Sequence, residues 1–188
     1  EGYSINGEEL QVEQAAWEDI LLVSYPGSCV VTLRGVSGIG KNSRTNTRTV
    51  KIDFVFIRSI VRGIGNNDYR NILMGFIHGN IQSVNSLESI LLCCERPTSF
   101  AALKRIQQKL GRENFPLIEQ TFYASHREMG FPPDYPIVCK IGHGQSGYGK
   151  MRLKSTADFE DFRSVCGMVS DYVTAESFIE WDWDGRGS

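Results

Sequence analysis

An α/β protein in two parts is what the sequence predicts, on three observations. Short β-branched and aromatic runs alternate with apolar residues at helical spacing. That pattern restarts near Pro97. A chain of 188 residues with 41% hydrophobic content suffices for one large core or two small ones. With 22% charged and 11% aromatic residues, neither a disordered tail nor a collagenous or coiled-coil rod is the main reading.

The elements follow in order. Residues 10–16 and 20–25 read as strands, and 28–33 as a further apolar stretch before a loop of Gly, Ser, Asn and Thr over 35–49. Residues 50–57 are short, rich in β-branched and aromatic side chains, and predict a strand with at least one buried face. The spacing of Tyr69, Ile72, Leu73, Phe76 and Ile77 predicts a helix over 69–78, ended by Gly79-Asn80, with the next strand at 81–84. Strand, helix, strand within residues 1–95 predicts a βαβ-type layer with a mostly parallel sheet. Pro97 suits the first turn of a second helix, whose apolar stripe of Phe100, Leu103, Ile106 and Leu110 ends at Gly111. Strands at 120–123 and 136–141 come next, then a glycine-rich loop and a strand at 150–154. An amphipathic helix over 158–168, carried by Phe159, Phe162 and Val165, and a strand at 172–179 close the chain.

Net charge is −2 with a pI near 6.0, so a globally basic nucleic-acid binder is excluded as the leading class. Charge is nevertheless blocked: six acids and no Lys or Arg in residues 1–33, then seven bases against Asp53 alone in 34–62. The basic block reads as a solvated face or as a dock for anionic partners such as lipid headgroups. Five cysteines, two of them the vicinal Cys93 and Cys94, do not suit a disulfide framework and fit a reduced cytosolic compartment. No targeting segment stands out, and the longest apolar run, 90–94, is far shorter than the roughly 18 residues that span a bilayer.

The strongest local signal is Cys139-Lys140-Ile141-Gly142-His143-Gly144-Gln145-Ser146-Gly147-Tyr148-Gly149-Lys150. Its four glycines let backbone approach a ligand and aim N–H groups at an anion. Lys140 and Lys150 bracket the loop, so a hairpin would bring both charges to the same phosphates; the plain alternative is a flexible hairpin with exposed lysines. Gly35-Val36-Ser37-Gly38-Ile39-Gly40-Lys41-Asn42 nearly spells a P-loop. Asn42 has no hydroxyl for magnesium and poorly helical sequence follows, so a surface loop is the better account. His78, His126 and His143 have no ligand-like spacing with the cysteines, which argues against zinc. His143 either hydrogen-bonds a phosphate or is a simple loop residue. Glu176 faces either a bound base or ribose, or water.

Several runs together resemble one family. Val12-Glu13-Gln14-Ala15, Asp68-Tyr69-Arg70, Ser83-Val84-Asn85-Ser86-Leu87, Lys109-Leu110-Gly111, Phe115-Pro116-Leu117-Ile118, Gln120-Thr121-Phe122-Tyr123 and the loop over 142–150 are similar, in collinear order, to the central domain of the synapsins. The resemblance implies a Rossmann-like pre-ATP-grasp subdomain over 1–95, followed by the first half of an ATP-grasp domain over 96–188. By that similarity Lys140 and Lys150 hold ATP phosphates, the loop of Gly142, His143, Gly144, Gln145, Ser146, Gly147, Tyr148 and Gly149 closes over the nucleotide, and Glu176, Ser177, Phe178 and Ile179 form the hinge that meets adenine. It also implies a presynaptic, cytoplasmic protein on the cytosolic face of synaptic vesicles, which binds ATP, actin and further copies of itself and regulates neurotransmitter release. No reaction is implied for the family, although its fold is that of ligases, so an ATP-grasp ligase fragment is the alternative.

Three departures from the family pattern stand out. Glu95-Arg96-Pro97 replaces Asp-Lys-Pro, which puts a planar guanidinium where a third phosphate-binding ammonium is expected. Ser177 stands where proline is typical. The sequence stops where the second half of the ATP-grasp domain would begin, and the resemblance places the carboxylates for calcium or magnesium in that half. The phosphorylated and proline-rich segments of typical synapsins have no counterpart here.

Overall fold

The computed structural model describes residues 4–35, 47–132 and 134–182. The P-loop-like segment, apart from Gly35, and the bases Lys41 and Arg44 lie outside the described residues. The chain forms two compact units, Glu1–Leu91 and Leu92–Ser188.

The first unit opens with a small antiparallel hairpin, β1 (Ser4–Ile5) with β2 (Glu8–Glu9). Asn6-Gly7 turns it, both residues holding positive φ, at 54° and 85°. Residues 10–16, read above as a strand, carry no regular structure. Leu10 and Val12 are exposed, and no described sheet edge takes them up. Instead the segment is tied through the Glu13 carboxylate, which accepts from the Arg48 guanidinium.

β3 (Ile20–Tyr25) and β4 (Ser28–Leu33) are joined by Pro26-Gly27, with Gly27 at φ 80°, and β5 (Arg48–Ile52) completes an antiparallel sheet of order β3-β4-β5. Period-two alternation puts Cys29, Val31 and Leu33 in the core and leaves Leu21, Val23 and Tyr25 on an exposed outer face. The expected strand over 50–57 is split by a bend at Asp53: its first part pairs with β4, and its second, β6 (Phe54–Val55), runs parallel to β7 (Gln82–Ser83). The parallel βαβ element is therefore confined to β6 and β7, and the larger sheet is antiparallel, because the Pro-Gly turn favours local pairing over a crossover. Between them α1 (Arg70–His78) buries Leu73 and Phe76. Gly75 and Gly79 let it lie close on the sheet, since a Cβ at either would overlap Leu22 or Cys29. α2 (Leu87–Cys93) starts where the Ser86 hydroxyl accepts from the Ser89 amide at 3.1 Å.

The second unit begins with α3 (Arg96–Leu110), which has Pro97 in its first turn and ends at Gly111, φ 84°. The helix is as expected, but its face is not. Leu103, Ile106 and Leu110 are 39%, 41% and 53% exposed, and the buried position is Gln107, whose amide donates to the Phe115 carbonyl at 2.8 Å. A four-stranded antiparallel sheet follows, with β8 (Gln120–Tyr123), β9 (Ile137–Ile141), β10 (Lys150–Leu153) and β11 (Val173–Ser177) in the order β10-β9-β11-β8. α4 (Thr156–Cys166) is capped by the Ser155 hydroxyl, which accepts from the Asp158 amide. Its Phe159, Phe162 and Cys166 pack with Ile137, Cys139, Leu153, Val173 and Ala175 into the core of this unit.

Candidate functional site

Because Cys139 and Val173 point to the core, their strand neighbours Lys140 and Thr174 point to the opposite face. Register then writes that face in two rows: Lys150, Lys140, Thr174 and Phe122, and beside it Arg152, Val138, Glu176 and Gln120. The structure thus brings Lys140 and Lys150 directly opposite each other at the base of the glycine loop. Arg152 adds a third cation on the same face. Sequence reasoning passed over it, although its place two residues after Lys150 in a strand was the available signal.

Glu176 does not face water. Its carboxylate takes the Lys140 ammonium on one oxygen and the Gln120 amide, at 3.3 Å, on the other, and Lys140 and Glu176 are both about four-fifths buried. Next to it Thr174 is 1% exposed with its hydroxyl oxygen unpartnered. Beyond Ser177, which pairs with Ile137, the Phe178 amide donates to the Pro136 carbonyl at 3.0 Å. The Arg152 guanidinium lies 3.6 Å above the Phe178 ring, Trp181 tilts against that ring, and Ile179 is exposed.

The loop between β9 and β10 has the conformation its glycines permit. Gly142, Gly144, Gly147 and Gly149 all hold positive φ, as does Ser146 at 56°. The Gly142 amide donates to the Tyr172 carbonyl at 2.7 Å, and the Ile141 amide to the Gly149 carbonyl at 2.8 Å. His143 Nδ1 accepts from the Gln145 amide at 3.3 Å, so the ring serves the loop's own backbone. Ser146, Gly147, Tyr148, Gly149 and Lys150 are exposed.

Two adjacent residues at the start of α3 reach this region. Glu95 accepts from the Tyr172 hydroxyl at 2.7 Å, and Arg96 Nε donates to the His143 carbonyl at 2.7 Å. Arg96 Nη1 is buried with no hydrogen-bond partner. Burial pushes the guanidinium's pKa down, while the neighbouring Tyr172 and Glu176 side chains draw it up. Two opposed lysines and an unpartnered buried guanidinium nitrogen form a donor set suited to a polyphosphate, while Arg152 is engaged by Phe178 and, at 3.7 Å, by Glu180. Among the described residues no group of three or more His, Cys, Asp or Glu side chains could hold a metal ion, and no helix is long and apolar enough to cross a membrane.

Compared with known proteins, this architecture is that of an α/β ATP-grasp-type protein. It superposes on D-alanine–D-alanine ligase from Helicobacter pylori with a TM-score of 0.50 and 14% identity, over 85% of this chain and 46% of that one. The ADP complex of N5-carboxyaminoimidazole ribonucleotide synthetase matches with a TM-score of 0.45 and 19% identity, over 62% and 29% of the two chains. Residues 1–83 match the synapsin pre-ATP-grasp domain and residues 85–187 the synapsin ATP binding domain. The Synapsin of Drosophila melanogaster is 35% identical over 185 residues, covering 95% of this chain and 18% of that protein. The chain belongs to the synapsin family.

Proposed function

We propose that the second unit binds ATP on the face of β9, β10 and β11 opposite α4, as the nucleotide-binding part of a synapsin that works on synaptic vesicles. The observation that carries this reading is the direct cross-strand opposition of Lys140 and Lys150 beneath a loop of four glycines. Both ammonium groups address the phosphates, Arg96 contributes its unpartnered Nη1, and the loop over 142–149 covers them. The strand end of Glu176, Ser177, Phe178 and Ile179 meets the base, with the Arg152-covered Phe178 ring beside it. Calcium or magnesium accompanying ATP would take its carboxylates from outside the described residues. At the level of the whole protein, the proposal is a presynaptic, cytoplasmic regulator of neurotransmitter release that meets the vesicle surface, actin and further copies of itself. Family membership supports it, together with the 35% identity to the Drosophila protein.

Isothermal calorimetry with ATP, with and without calcium, tests the site. Lys140→Ala should weaken binding by about 1.5–3 kcal/mol, roughly 10- to 150-fold in Kd, as expected for loss of a charge-assisted contact. Equal affinity in the variant would overturn the assignment. ATP turnover that depends on an added carboxylic acid and amine would replace the regulatory reading with a ligase.

A further inference from the structure

We infer that Arg96 is a positioning residue that latches the stem of the glycine loop from the first turn of α3, leaving only the loop's tip to move. This inference rests on the proposed reading of that loop as the nucleotide's cover. Arg96 Nε holds the His143 carbonyl at 2.7 Å. Its guanidinium fills the space a side chain at position 144 would need: a Cβ built on Gly144, φ 55°, overlaps the guanidinium nitrogens and carbon. Glycine at 144 therefore admits the arginine as well as the left-handed backbone.

A second tie secures the same stem. The Gly142 amide donates to the Tyr172 carbonyl, the Asp171 carboxylate fills the space of a Gly142 Cβ, and the Tyr172 hydroxyl donates to Glu95. Consecutive residues Glu95 and Arg96 thus tie the start of α3 to this stem twice, through Tyr172 at the entry of β11 and through His143 just past the exit of β9. Beyond Gly144 the tip is held by two long backbone bonds, Gly147 amide to Gly144 carbonyl at 3.3 Å and Tyr148 amide to Gln145 carbonyl at 3.2 Å. A guanidinium can donate through Nε while its terminal nitrogens occupy the space beside a glycine, whereas an ammonium is a single point donor. The latch consequently requires arginine rather than any cation.

Amide hydrogen exchange on the nucleotide-free protein tests the latch without reference to ATP. Arg96→Ala should speed exchange of the stem amides of Ile141 and Gly142 at least tenfold while leaving Cys139 and Ala175 in the sheet unchanged, and Arg96→Lys should not restore protection. Gly144→Ala, which expels the guanidinium, should loosen the same amides, and should add markedly less when placed on Arg96→Ala. Unchanged stem exchange in Arg96→Ala, or a Gly144→Ala effect of equal size in both backgrounds, would overturn the inference. Weaker ATP binding in Arg96→Ala with unaltered nucleotide-free exchange would make Arg96 a phosphate ligand alone and would also overturn it. Failure of the unsubstituted protein to bind ATP would remove the proposed function and leave the exchange result to decide the latch.

Discussion

Removing Lys140 should weaken the fold as well as the nucleotide site. Its ammonium meets Glu176 across the β9–β11 pair, and the two side chains are 20% and 19% exposed. An exposed ion pair is worth less than about 1 kcal/mol. Taking one partner from a fully buried pair costs about 3–5 kcal/mol, because the other charge is left without compensation. One-fifth exposure places Lys140→Ala between these limits, at about 2 kcal/mol. The stranded Glu176 carboxylate then leans on the Gln120 amide at 3.3 Å, a longer and uncharged contact. Lys140→Ala/Glu176→Ala removes both charges, so its cost should fall short of the summed single costs by about 1–2 kcal/mol. Urea denaturation of the four proteins, read as midpoint shifts at constant slope, measures this coupling. The double variant should be less destabilised than the sum of the single variants, while ATP affinity shows no such compensation, which separates the ion pair's structural role from the lysine's proposed role toward phosphate. Additivity within about 0.3–0.5 kcal/mol would refute the argument, since pairs that share no interaction behave that way.

The remaining predictions concern acid and thiols. The Arg70 guanidinium, with Nε at 2.9 Å and Nη2 at 2.6 Å, holds the Asp68 carboxyl down to about 2 from 3.8. A depressed carboxyl stabilises the fold above about pH 4, where the unfolded chain has already lost its proton, and that contribution disappears as pH falls toward about 2. With Asp68 41% exposed the contribution is under about 1 kcal/mol. Stability profiles of the protein and Asp68→Asn should therefore converge between those pH values, and a gap that stays constant would contradict the pairing. Burial pushes the Cys139 thiol up to about 12 and Cys166 up to about 11, whereas Cys93 is exposed. A thiol reagent at about pH 7.5 should modify Cys93 first, then Cys94, and should reach Cys139, Cys166 and buried Cys29 only in denaturant; prompt labelling of Cys139 would contradict the packing.

Elements set by local chemistry were legible in the sequence. β3 has the bounds its apolar run and the Pro26-Gly27 turn predict, and β8, β9 and α1 fall within a residue of expectation. What periodicity cannot say is which face or edge finds a partner. Residues 10–16 join no described sheet, 50–57 divides its hydrogen bonds between two sheets, and Leu103, Ile106 and Leu110 of the α3 stripe lie on the exposed side of the helix. The candidate site divides along the same line. Opposition of Lys140 and Lys150 follows from a short hairpin and could be read from spacing. The Lys140–Glu176 contact joins residues 36 apart through the β9–β11 pairing, and the Arg96–His143 bond joins residues 47 apart, so neither leaves a local signal.

The outer face of the first unit sets a condition on handling. β3 is an edge of its sheet among the described residues, carries no charged side chain over Ile20–Tyr25, and shows Leu21, Val23 and Tyr25 to solvent. A six-residue apolar edge without a charge or a proline is a template for strand addition and a nucleus for aggregation. A lysine at Val23, which points outward opposite Val30 and leaves the α1 side untouched, is the smallest change that places a gatekeeper on that edge.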